Sequence, residues 1–204
     1  MEAGYLIISI FKFINDQYQM SAKLYKLCKK GDRRSQKAVY GQMFGKLSVI
    51  SKRYIKDGEE AMHVLNTAFL KIFENYGKCH DPDKFEAWAS RVVVNTALDH
   101  IRASKKYKNK MHFDEGFTYK YDKETDVEEE LDNDIKMEEI YGMINELPPT
   151  TKMVFNLYAI DGFAHKDIAK KLNMSTGTSK WHLNKARQML KPKIVKRKQE
   201  LING

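Results

Sequence analysis

Asn95, Thr96, Asp99, His100, Arg102, Lys105 and Lys106 bring amide, hydroxyl, carboxylate and cationic groups onto what would be adjoining turns of one helix, with Tyr107, Lys108 and Lys110 directly after them. Bonding to phosphates and reading base edges both need that mixture. A plainer use is open as well, because Asn95 and Asp99 are four residues apart and could pair on a solvated helix surface. A second candidate set is Lys180, Trp181, Asn184 and Lys185, in which Lys can donate to guanine or phosphate and Asn can bond adenine through two atoms. The carboxylates of Asp126-Val127-Glu128-Glu129-Glu130 lie in a stretch with no apolar period. Catalytic acids must be held in reach of each other by a rigid scaffold, so no catalytic residue is assigned and the chain is not read as an enzyme. Cys28 and Cys79 have neither a CxxC partner nor a His at zinc-finger spacing. No metal or cofactor is expected, and a reducing compartment suits the two thiols.

Helices must position these groups. Val39, Met43, Leu47, Ile50 and Tyr54 recur at spacings of three and four, which marks one face of a helix from Arg33 to Tyr54. Asp57-Gly58 breaks it, and Glu59 and Glu60 start a second helix at the end where negative charge is favoured. Val64, Leu65, Ala68, Phe69, Ile72 and Phe73 form its inward stripe, leaving His63, Asn66, Thr67 and Lys71 outward. A third helix follows Asp81-Pro82 and runs to about Lys106, with Phe85, Trp88, Ala89, Val92, Val93 and Ile101 on its apolar side. These three make a small bundle.

Further on, Ile135 to Leu147 reads as a helix stopped by Pro148-Pro149, and Thr150 or Thr151 can cap another running to about Ile160. After the Asp161-Gly162 turn comes a short helix through Leu172, then a break at Asn173-Met174. Ser175 caps a last helix reaching about Leu190. Ser179, Leu183, Ala186 and Leu190 are spaced to face inward, so Lys180, Trp181, Asn184 and Lys185 project away. The final two helices meet the demands of a helix-turn-helix: a small residue, Ala169, at the crossing, a tight connector and an amphipathic second helix.

Composition agrees. Of 204 residues only 11 are Gly and 4 Pro, which disfavours a turn-rich β-sandwich. Residues 1–110 carry 21 basic against 11 acidic groups, residues 111–146 carry 3 against 13, and residues 147–204 carry 12 against 3. Two basic bodies flanking an acidic stretch suit a polyanion partner, since Lys and Arg that neutralise phosphates release counterions. The apolar run at residues 5–14 contains Lys12 and is too short to cross a bilayer, so no membrane insertion is expected. The simplest account makes Met20 the start and residues 1–19 a non-native extension. The expected architecture is therefore all-α: two small helical bundles at 20–110 and 135–204, the second with a helix-turn-helix, joined by a flexible acidic linker at 111–134.

From Leu24 to Leu190 the ordered motifs resemble a bacterial RNA polymerase sigma factor of the extracytoplasmic-function group. Those motifs are the run from Ala61 to Phe73, Phe85-Glu86-Ala87-Trp88, the run from Asn95 to Arg102, Leu147-Pro148-Pro149, Asp167-Ile168-Ala169, Gly177-Thr178-Ser179-Lys180 and Lys185-Ala186-Arg187. The resemblance implies a cytoplasmic, non-enzymatic subunit that docks on core RNA polymerase, recognises promoter DNA and helps to melt it. It assigns His63, Asn66 and Thr67 to the polymerase clamp. Asn95, Asp99, Arg102, Lys105 and Lys106 go to the minus-ten element, with an unpaired base captured near Lys78–Asp81. Lys180, Trp181, Asn184 and Lys185 go to the minus-thirty-five element, with Lys166, Thr176 and Arg187 on phosphates. An anti-sigma factor is a further partner the resemblance admits. A stand-alone helix-turn-helix regulator is the alternative, and it leaves the Phe85–Lys106 cluster without a purpose.

Overall fold

The computed structural model describes residues 22–104 and 135–203. All regular elements among them are helical, and they belong to two compact units. Lys105, Lys106, the acidic linker and residues 1–19 lie outside the described residues.

The first unit is built from α1 (Ala22–Lys29), α2 (Arg33–Tyr54), α3 (Gly58–Glu74) and α4 (Phe85–Ala103), with 3-10 turns at Tyr76–Lys78 and Pro82–Lys84. Aspartates start α2 and α3. Asp32 accepts from the Ser35 N–H at 2.8 Å, and Asp57 accepts from the N–H groups of Glu59 and Glu60 at 3.0 and 2.9 Å. Each thereby satisfies donors that a helix start leaves without an intrahelical partner. The five residues expected on the inner face of α2 are all buried, and α3 buries Val64, Leu65, Ala68, Phe69 and Ile72 against them. On α4 the buried set is Phe85, Ala89, Val93, Val94, Ala97 and Leu98, whereas Trp88, Val92 and Ile101 are only half-buried. Its apolar face is thus rotated from the expected one toward Val94 and Leu98. Losing a fully buried Leu such as Leu47 costs about 2–5 kcal/mol, so this three-helix contact is what holds the surface groups in place. Tyr25, Tyr76 and Phe85 also meet pairwise, Tyr25–Tyr76 and Tyr76–Phe85 tilted with ring centroids at 5.2 and 4.7 Å and Tyr25–Phe85 edge-on at 6.1 Å, and the Tyr25 hydroxyl donates to the Cys79 carbonyl.

The second unit contains α5 (Met137–Asn145), α6 (Pro149–Phe155), α7 (His165–Leu172) and α8 (Thr176–Asn203). Pro149, not a Thr cap, opens α6: proline's fixed φ suits the first helical position and its missing N–H has no partner to lose there. Thr151 is buried instead. The expected continuation to Ile160 exists but widens into a π-helix over Asn156–Ile160. Gly162 follows with φ +68°, a left-handed turn that glycine makes at no steric cost. Asn173 ends α7 with φ +52°, its N–H bonded to the Ala169 carbonyl, and Ser175 accepts from the Thr178 N–H at 2.9 Å to start α8. Ile168, Ala169 and Leu172 of α7 and Ser179, Leu183, Ala186 and Leu190 of α8 are buried as their spacing requires.

The last helix does not stop at Leu190. It continues through Pro192 to Asn203. Pro192 removes one backbone donor, but Ile194 is buried, Arg197 makes a two-point bond to Glu139 on α5 at 2.7 and 2.9 Å, and Lys193 pairs with Glu146. Tertiary contacts therefore outweigh the proline penalty.

Candidate nucleic-acid interface

On α4, Asn95 is half-buried while Asp99 and Arg102 are exposed, one turn apart. Asp99 accepts from Arg102 at 3.2 Å and lies 3.9 Å from Lys71 of α3, so the carboxylate is bracketed by two cations. Thr96 belongs elsewhere: its side chain is buried and its hydroxyl donates to the Val92 carbonyl at 2.8 Å. The described minus-ten candidates thus form a polar strip of amide, carboxylate and guanidinium. The Lys78–Asp81 segment, ahead of α4, is pinned, with Cys79 buried and its thiol 3.2 Å from the Asp81 carbonyl while His80 stays exposed. Burial pushes the Cys28 and Cys79 thiols up, away from the reactive thiolate.

His63 and Asn66 stand exposed on α3, with Thr67 beside them. Asn66 accepts from the Tyr40 hydroxyl at 3.3 Å, and the Thr67 hydroxyl donates to the His63 carbonyl at 2.9 Å. The His63 ring lies 6.4 Å from that of His100, which faces Glu60 at 3.6 Å. Spacing reasoning overlooked Met62 and Leu70, four residues before and after Asn66, which are 36% and 64% exposed. Apolar groups flanking a polar centre are a surface suited to a protein partner. The signal was the repeated step of four, hidden because both residues look like core.

The third surface is on α8. Lys180 is exposed, as are Thr176 in the first turn and Lys166 on α7; Asn184, Lys185 and Arg187 are half-buried. Trp181 does not jut into solvent alone: Lys185 Nζ sits 4.7 Å above its ring and the His182 ring meets it edge-on at 4.8 Å. Behind this face are two histidines that the sequence reading passed over. His165 stacks on Tyr158 at 4.4 Å and its Nδ1 is 2.9 Å from the Ser179 hydroxyl. His182 Nδ1 is 3.0 Å from the buried Thr151 hydroxyl. Burial, then the nearby Lys185 charge, pushes His182 down to about 4. Burial, then Lys180 and Arg187, lowers His165. Both rings are therefore neutral at pH 7 and tie α8 to α6 and α7 without adding charge to the inner side. Among the described residues no group of three or more His, Cys, Asp or Glu side chains is placed to hold a metal ion.

Known proteins supply an independent comparison. Sigma-70 region 2 matches residues 44–107 and sigma-70 region 4 matches residues 137–190, together more than half of the chain. The RNA polymerase sigma-H factor of Pseudomonas aeruginosa is 24% identical, aligned over 84% of this chain and 92% of the relative. The ECF RNA polymerase sigma-E factor of Haemophilus influenzae is 23% identical over 80% and 89%, and the RNA polymerase sigma factor SigV of Bacillus subtilis 22% over 70% and 81%. Among solved structures, CnrH in complex with the cytosolic domain of CnrY is similar at 16% identity and a TM-score of 0.45, covering 84% of this chain and 94% of that one.

Proposed function

Since the chain belongs to the sigma-70 family of RNA polymerase sigma factors, within the extracytoplasmic-function group, we propose a division of its transcription-initiation role among the three surfaces just described. As a sigma factor it binds core RNA polymerase and directs it to promoter DNA. Sigma factors are initiation factors, not enzymes. His63, Asn66 and Thr67, with Met62 and Leu70, meet the polymerase. Asn95, Asp99 and Arg102, continued by Lys105 and Lys106, contact the minus-ten element, where the pinned Lys78–Asp81 segment takes an unpaired base. Unstacking that base costs a few kcal/mol, which a fitted pocket must offset.

Lys180, Asn184 and Lys185 read the minus-thirty-five element from the major groove. Lys166, Thr176 and Arg187 bind phosphates, and Trp181 packs on sugar or thymine methyl groups while Lys185 rests on its ring. The observation that carries this reading is the exposed Lys180 on a helix whose opposite face is buried against its helix-turn-helix partner. Among the described residues no helix is long and apolar enough to cross a membrane, and we assign the protein to the cytoplasm beside its polymerase.

Reconstitution tests the assignment. The purified chain and core polymerase together should initiate from a defined promoter that neither uses alone. Asn95→Ala should impair strand opening, seen by permanganate reactivity, more than polymerase binding. Failure to bind core polymerase would reject the proposal, and an unchanged open complex would reject the Asn95 role.

A further inference from the structure

The segment matched by sigma-70 region 4 ends at residue 190, yet α8 runs on to Asn203. Its buried line continues with it through Ile194. On the inward side of the added turns, Arg197 is engaged by Glu139 and Lys193 by Glu146, and these contacts fix the added turns against α5. The outward cations are treated differently. Lys191 is exposed and Lys198 half-buried, and neither has an ion-pair partner among the described residues.

Their register is the informative part. Lys180, Asn184, Arg187, Lys191, Val195, Lys198 and Ile202 follow one another at steps of three or four, so they lie along one stripe to one side of the buried line. The positions proposed to face DNA are thus continued by two more unneutralised ammonium groups. At 1.5 Å per residue, Lys191 stands ~16 Å along the helix from Lys180 and Lys198 ~27 Å. A major groove is about 12 Å wide. A helix that reads bases with its first turns has therefore travelled by Lys191 as far as the phosphates bordering the groove. Val195 and Ile202, 39% and 80% exposed, interrupt the stripe with apolar groups that a protein partner could also use. Continuity with the base-reading positions and the lack of carboxylate partners favour DNA.

We propose that Lys191, supported by Lys198, is a backbone-phosphate site that extends the duplex contact past the base-reading turns and adds affinity without sequence preference. This rests on the assignment of α8 to promoter DNA. The test uses the full chain with core polymerase on a duplex promoter selected for initiation by that holoenzyme, and follows affinity against salt. K191A should lower the slope of log affinity against log salt by about 1, and K191A/K198A by up to ~2, with equal loss on promoter variants. K196A, which removes an exposed ammonium off the stripe that faces Glu200 at 3.9 Å, should leave the slope unchanged. An unaltered slope in K191A/K198A while K180A weakens binding overturns the extension alone. If K180A is silent as well, the promoter assignment of α8 falls and takes this site with it. A loss of polymerase binding by K191A/K198A in the absence of DNA would make the stripe a protein-docking face and also overturn the proposal.

Discussion

On the role proposed for α8, individual side chains separate base reading from phosphate holding. Asn184 can pair with a base edge through two atoms, whereas Lys180 offers a single mobile charge. Asn184→Ala should therefore relax preference at one base pair of the minus-thirty-five element, by about 1–3 kcal/mol, with much smaller changes elsewhere. Competition binding of the holoenzyme across single-base promoter variants measures this; a uniform loss on every variant would move Asn184 to the phosphates. Behind the same face, the lowered affinity of His165 and His182 for protons makes stability depend on pH. In the unfolded chain a His gains its proton near 6.5, while folded His182 resists it down to about 4. The stabilisation His182 carries is complete above about 6.5 and is lost as the pH falls toward 4, and His165 adds a loss in the same direction. Thermal melts should show a lower midpoint at pH 5 than at pH 7, with a smaller difference in His182→Gln. An equal pH dependence in both proteins would remove His182 as the cause.

Among the elements, the junction of α5 with the far end of α8 carries a charged polar contact beside its apolar one. The two-point Arg197–Glu139 bond joins residues far apart in sequence, and the hydrogen bonds from Arg197, then its charge, hold the Glu139 carboxyl below the usual carboxylate range. Arg197→Ala should speed hydrogen exchange of the Met137–Asn145 amides, and the exchanged pair Arg197→Glu with Glu139→Arg should slow it again. Unchanged exchange in Arg197→Ala would show that Ile140, Ile144 and Ile194 hold the junction unaided. This junction also marks where the amino-acid sequence stopped being readable. Apolar steps of three and four located every other long helix, because α2, α3 and the helix-turn-helix bury strict stripes such as Val39–Met43–Leu47. Past Leu190 the local preference, Lys-Pro-Lys, argues against a helix, and only contacts with a distant element reverse it. The π turn escaped for the same reason, since Asn156 is buried by tertiary packing that its polarity does not announce. At the candidate sites the cationic and amide groups were legible one by one. The pairing of Lys185 with Trp181 and the burial of Thr96 and His182 were not, because each depends on a neighbour one turn away or on another helix.

At the scale of the whole molecule, the two units present chemically different surfaces. The first offers Met62 and Leu70 around Asn66; the second offers ammonium and amide groups on α8. Leu70→Glu changes a residue that is 64% exposed, so it should leave the melting temperature within a degree or two yet weaken association with core polymerase at least severalfold, as read by anisotropy of a labelled chain. Full affinity in that variant would move the docking surface off α3. The 2 tryptophans of the chain are shared out evenly, Trp88 against Phe85 in the first unit and Trp181 under the Lys185 ammonium in the second. Exchanging Trp88 for Phe would leave a single indole as the sole strong emitter, on the face proposed to pack against the duplex. The protein thus contains an intrinsic optical gauge, and a change in colour or brightness on adding promoter fragments would report occupancy of α8 without any attached dye.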